Sequence, residues 1–210
     1  MKKNIRKVFS FLASSVLRPT SVGLFISRLL DPMWVVPAVT ILGAYESGLH
    51  NFTLWRIIVI LALVMVAPPL LLRWRFTREK GSSGWDIKNR AHRPKALGAF
   101  LVFGLLNVML AWVFGNPTFG RLFIFYELWL AGFFLISLVW KISGHAGGIA
   151  LATGLVIQWF GWTWWPVLLL VPWTAWARVV TKNHTVWQVM AGALYSWGLI
   201  WLWNLLSSLL

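Results

Sequence analysis

Long apolar runs separated by short polar breaks limit what this chain can fold into more than any other feature of it. They fall at about Asp31–Ser47, Leu54–Trp74, Ala96–Phe114, Leu122–Trp140, His145–Phe160, Trp164–Val180 and His184–Leu206. A helix that crosses a bilayer needs about 20 mostly apolar residues, and most of these runs qualify. The first and fifth are short, and the first contains Pro32 and Pro37, so six spans are admissible and seven are expected. A soluble globule does not fit the sequence. Only 11% of the residues are charged, against about 25% in ordinary soluble domains, too few to coat a surface. The 17 Trp suit a membrane–water interface. The expected fold class is therefore all-α, a polytopic transmembrane helix bundle of six to seven spans.

Charge sets the expected topology. Nineteen Lys and Arg stand against five Asp and Glu, a net charge of +14. In a soluble chain this excess would point to nucleic acid; in a membrane chain it reads as an orientation signal plus a site for an anion, with no nucleic-acid partner expected. With seven spans, 17 of the 19 cations fall on one side and only Arg56 and Arg121 on the other. Positive charge marks the cytoplasmic side, so a multi-pass cell-membrane protein with a cytoplasmic basic face is expected. The start, Met1 to Lys7, is basic and precedes the apolar run Val8–Leu17. Arg18 and Pro19 follow without a small-residue cleavage site, so residues 1–30 read as an interfacial segment rather than a signal peptide. Residues 31–210 then form a single transmembrane domain. The chain has no cysteine, which excludes disulfides and thiolate metal ligands.

Three polar islands lie on the basic side: Asp86-Ile87-Lys88-Asn89-Arg90-Ala91-His92-Arg93-Pro94, then Ser143-Gly144-His145, then Ala177-Arg178 with His184 and Gln188. Two spans separate each island from the next, so an even number of crossings returns the chain to the same face and all three can share one site. Ser143 is placed to cap a helix starting near Gly144, and Asn183 one starting near His184. Helix starts present backbone N–H groups and partial positive charge to an anion. Arg93 and Arg178 offer planar, permanently charged forks for phosphate oxygens. Of His145 and His184, one can attack phosphorus while the other protonates a leaving oxygen. Gln188 lies four residues after His184, on the same helix face, and can orient its ring.

Ser-Gly-His, then Arg-x5-His with a polar residue four places later, and an upstream basic segment ending in Arg93-Pro94, together resemble the type 2 phosphatidic acid phosphatase superfamily. The likeness covers about Asp86 to Gly192. It implies His184 as nucleophile and His145 as acid to the leaving group, with Arg93, Arg178, Ser143 and the Gly144 amide as phosphate ligands. It also implies that no metal or other cofactor is required, and that the substrate partner is a membrane lipid bearing a phosphate or diphosphate on an acyl or polyprenyl chain. The sequence departs from that pattern in four places. Asp86 stands where the family has Lys, leaving Lys88 or Arg90 to supply a cation. Gln188 replaces an acidic residue, Ala177 a Ser, and Ile142 a Pro.

Other polar residues carry blander readings. His50 suits an interface, and His92 either an interface or the site. Asn107 and Gln158 suit interhelical hydrogen bonds. Glu127, inside a span, is open between a function, an interfacial pair with Arg121 and a protonated carboxyl. Gly144, Gly148 and Ala152 form a close-packing face. Two rivals keep the same fold: a lipid-phosphate binding or flipping protein with a degenerate site, and a phosphotransferase with an acceptor other than water.

Overall fold

A computed structural model describes residues 18–46, 55–56, 58–59, 65–77, 92–113 and 117–208 of the chain. Among them are helices α1 (Pro19–Leu29), α2 (Pro32–Glu46), α3 (Ala67–Thr77), α4 (His92–Val113) and α5 (Pro117–Val139). There follow α6 (Gly144–Phe160), a 3-10 helix (Trp162–Leu169), α7 (Leu170–Val180) and α8 (Val186–Ser207), and the described residues contain no strand. The basic start and the Gly81-Ser82-Ser83-Gly84 stretch lie outside the described residues. Among the described residues four segments are long and apolar enough to cross a membrane: Pro19–Glu46, Pro94–Val113, Pro117–Val139 and Val186–Ser207. The chain is an all-α membrane bundle.

Two expected spans take a different form. The first begins earlier than Asp31, because α1 and α2 make one 28-residue run interrupted only at Leu30 and Asp31. Pro32 opens α2, where its missing N–H leaves no intrahelical bond unmade. Trp164–Val180 is a 3-10 helix followed by α7 rather than one helix. Gly161, at φ 81°, ends α6. Pro166 inside the 3-10 segment and Pro172 beyond it then each remove a donor that a regular α-helix needs.

Helix α6 is the hub. Every residue from Ala146 to Thr153 is buried, and Gly, Ala and Thr dominate the run, so neighbouring backbones approach closely. Gly148 packs on Pro32 at the start of α2, and near the other end Gly43 of α2 packs on Trp159, so α2 and α6 run parallel. Gly147 faces Gly192 and Ser196 of α8, Gly154 faces Trp197 and Ile200, and Gln158 donates to Asn204 at 2.8 Å. Helix α8 is therefore parallel to α6 as well. Helix α5 is antiparallel to both: its Trp129 ring nitrogen donates to Ser196 at 2.8 Å while Phe133 lies against Gly144. Helix α4 is antiparallel to α5, since Gly98 meets Phe134, Gly104 meets Glu127 and Gly120 meets Trp112. The starts of α2, α4, α6 and α8 and the ends of α5 and α7 accordingly share one end of the bundle.

The outward faces match a lipid solvent. Val102, Met109 and Val113 of α4 and Leu194 and Trp201 of α8 are exposed, which in water would be an uncovered apolar coat. Trp162, Trp164 and Trp165 are exposed at the far end and Trp187 at the shared end, the two levels where indoles collect.

Candidate active site

At the shared end, α7 finishes in a turn that aims the chain at α8. Arg178 sits in the last turn of α7. Its carbonyl accepts from the N–H groups of Asn183 at 3.0 Å and His184 at 3.1 Å, while the Lys182 N–H bonds to the Val179 carbonyl at 2.9 Å. The Asn183 and Lys182 bonds form a Schellman closure, which requires a left-handed residue after the cap. Lys182 fills that position at φ 56°. Lys141, on the link between α5 and α6, donates to the Asn183 carbonyl at 2.7 Å and ties the turn to the neighbouring island.

The expectation that Asn183 caps the last helix is corrected. The cap is Thr185, whose Oγ1 accepts from the Gln188 N–H at 3.4 Å while the Gln188 Oε1 accepts from the Thr185 N–H at 3.2 Å. Thr185-x-x-Gln188 is a capping box, and Asn183 instead donates to Thr181 Oγ1 at 2.9 Å. The box displaces the helix start to Val186 and leaves His184 just before the cap.

The same Gln188 oxygen lies 3.1 Å from His184 Nδ1. A backbone N–H can only donate, so the Thr185 bond fixes which end of the Gln188 amide faces inward. His184 Nδ1 is then the protonated nitrogen and Nε2 keeps its lone pair. The ring is buried, 8% exposed.

Helix α6 meets this arrangement head on. Ser143 is fully buried, and its Oγ accepts from the Ala146 N–H at 3.4 Å, the cap expected from the sequence. The Ser143 N–H donates to the Gln188 carbonyl at 3.1 Å, and Gly192 comes so close to the Ser143 carbonyl that no side chain fits there. The start of α6 is thus pressed against the first turn of α8, and Gly144 and His145 carry the first amides of α6, ahead of its first intrahelical bond.

His145 faces a residue that the sequence pattern leaves out. Its Nε2 lies 3.5 Å from Asp31 Oδ2, with Asp31 only 4% exposed. Arg178, also buried, donates from Nη1 to Ser27 Oγ at 2.7 Å. The structure therefore brings together Ser143, Gly144, His145, Arg178, His184 and Gln188, and adds Ser27, Asp31 and Lys141. Arg93 lies in the first turn of α4 at the same end, with its side chain outside the described residues. Lys88 and Arg90 also lie outside them. The one sequence signal for Asp31 was its charge, a rare carboxylate at the edge of an apolar run.

Glu127 lies away from this end, its carboxylate against Gly104 of α4. Among the described residues no group of His, Asp and Glu side chains is arranged to hold a metal ion.

Over 63 residues the chain is 44% identical to the lipid A 4'-phosphatase of Helicobacter pylori (strain J99). No family model and no solved structure matches the chain. The match spans 30% of this chain and 32% of that protein, so it relates the chain to a part of a lipid A 4'-phosphatase.

Proposed function

We propose that the chain is a membrane-embedded phosphatase that hydrolyses a lipid phosphate or diphosphate, releasing phosphate through a phospho-histidine on His184. The observation that carries this reading is the Gln188 oxygen, which takes both the Thr185 N–H and His184 Nδ1 and so leaves Nε2 as a nucleophile. The likeness to a lipid A 4'-phosphatase supports the same class, and lipid A joins acyl and polyprenyl phosphates as a candidate substrate.

In the first half-reaction His184 Nε2 bonds to phosphorus as the bond to the lipid oxygen breaks, and that oxygen takes a proton from His145. In the second, water adds to the phosphoryl group, gives its proton back to His145, and the N–P bond breaks to release phosphate. Arg178 and Arg93 hold the equatorial oxygens, joined by the Gly144 amide and by Lys88 or Arg90, where charge builds in the transition state. The lipid chain stays among the helices while the headgroup enters at the basic, cytoplasmic end. Brief incubation with radiolabelled lipid phosphate, followed by an alkaline quench, should place acid-labile label on the peptide carrying His184. Rapid phosphate release with no histidine label, or label retained in His184→Ala, contradicts the mechanism.

A second reading rests on the neutral amide at Gln188, where a carboxylate would support an imidazolium better. The chain would then bind phosphorylated lipid without turnover, giving lipid retention in the same assay with neither label nor release.

A further inference from the structure

We infer that the Ser27–Asp31 segment of the first span belongs to the catalytic apparatus, with Asp31 as the positioning residue of His145. This rests on the phosphatase reading above and adds to it a partner from outside the three islands.

A helix cap is the bland explanation for Asp31, and it accounts for half of the side chain. Oδ1 accepts from the Met33 N–H at 3.0 Å, as a residue before the first helical position does. Oδ2 is the atom 3.5 Å from His145 Nε2. A cap needs no charge, and Ser, Thr or Asn would serve as well. A carboxylate almost wholly buried within a membrane protein is costly unless it meets a partner, and the ring of His145 is such a partner. The contact is held in register by the backbone. Pro32 packs on Gly148, one turn along α6 from His145, with no room for a side chain between them. Ser27, one turn before Asp31, accepts from Arg178. One short segment therefore braces both the acid and a phosphate-binding cation, which lie on different helices.

The chemistry divides between the two histidines. His184 has a neutral amide as its partner and acts as the nucleophile. His145 has a carboxylate, the natural counter-charge for a ring carrying two protons. As the P–O bond to the lipid breaks, the Nδ1 proton of His145 passes to the departing oxygen, giving a neutral alcohol. The Nε2 proton faces Asp31 at ion-pair distance, 3.5 Å, without a hydrogen bond in the resting arrangement. Water then supplies the proton that returns to Nδ1 when the N–P bond is hydrolysed.

Asp31→Asn isolates the charge, because Asn caps a helix as well as Asp. Wild type, Asp31→Asn and His184→Ala would be assayed on two substrates with chains of equal length. One is an alkyl phosphate, whose alkoxide needs a proton. The other is a nitrophenyl phosphate, whose phenolate leaves without one. The expected result is a kcat loss of about 100-fold for Asp31→Asn on the alkyl substrate and of less than about threefold on the nitrophenyl one, while His184→Ala is inactive on both. An equal loss on both substrates, or no loss, with hydrolysis still dependent on His184, overturns the role of Asp31 and leaves the phosphatase reading standing. Absence of hydrolysis dependent on His184 overturns both.

Discussion

One oxygen, that of Gln188, closes the cap of α8 and selects the tautomer of His184. Gln188→Leu removes both functions at nearly constant volume. Loss of the reciprocal half of the capping box, with the Thr185 cap itself kept, costs about 1 kcal/mol of stability, and a freed ring lowers phosphate release by roughly ten- to a hundredfold. Thermal unfolding and turnover measured on one preparation would show both effects. Gln188→Glu keeps the reach to the Thr185 N–H and adds charge beside the ring. It should unfold at the wild-type temperature and hydrolyse faster, and an unchanged rate shows that charge adds nothing to the orientation that the oxygen supplies. Lys182 offers a separate test, because its backbone is left-handed. Lys182→Gly relieves a conformation that costs a side-chain-bearing residue about 1 kcal/mol. It should raise the unfolding temperature in detergent with activity intact. Some of this was legible in the sequence and some was not. Ser143 read correctly as a cap because its signal is local. Thr185-x-x-Gln188 is just as local, but Asn183 beside His184 competed for the same boundary, and only the fold decides between them. Ser27 lies 151 residues from Arg178, so no spacing rule could have paired them.

Helix contacts around α6 show how the site is held. Gly192 meets the Ser143 carbonyl at a distance that a methyl group would reduce to 2.6 Å, and the opposing atom is backbone. It has nowhere to move, so Gly192→Ala pushes α8 off α6, at about 1–3 kcal/mol for overpacking, and activity falls with it. Gly198, on the same helix, has open space where its Cβ would go. Gly198→Ala should be neutral or stabilising, by up to about 1 kcal/mol from helix propensity. Paired unfolding curves for the two variants separate close packing from propensity. Helix existence was legible from apolar runs where those runs are long. The 3-10 stretch was not, since Trp162–Leu169 is as apolar as its neighbours. What differs there is donor loss at Pro166 and Pro172, whose effect depends on the register set by Gly161.

Across the whole molecule, the parity of crossings read from the sequence matches the way α2, α4, α6 and α8 begin at one end of the bundle. The chain has no cysteine, so single cysteines can map the sides cleanly. A cysteine at Lys182, beside the candidate site, should react with an impermeant maleimide only from the cytoplasmic side, and one at Trp162 only from the opposite side. The reverse pattern would place the site outside the cell membrane's inner face. Among the described residues hydropathy carries the pattern of spans well, because the bilayer imposes it on each of them. His184 is the proposed nucleophile. Its most direct test is phosphate release by purified protein from a phosphatidic acid, a polyprenyl phosphate, a polyprenyl diphosphate and lipid A, comparing wild type with His184→Ala, each with and without chelator. The expected result is release from at least one lipid, unaffected by chelator and lost by at least about a thousandfold in the variant. Full release by a folded His184→Ala protein, or none by wild type from any of the four lipids, would contradict it.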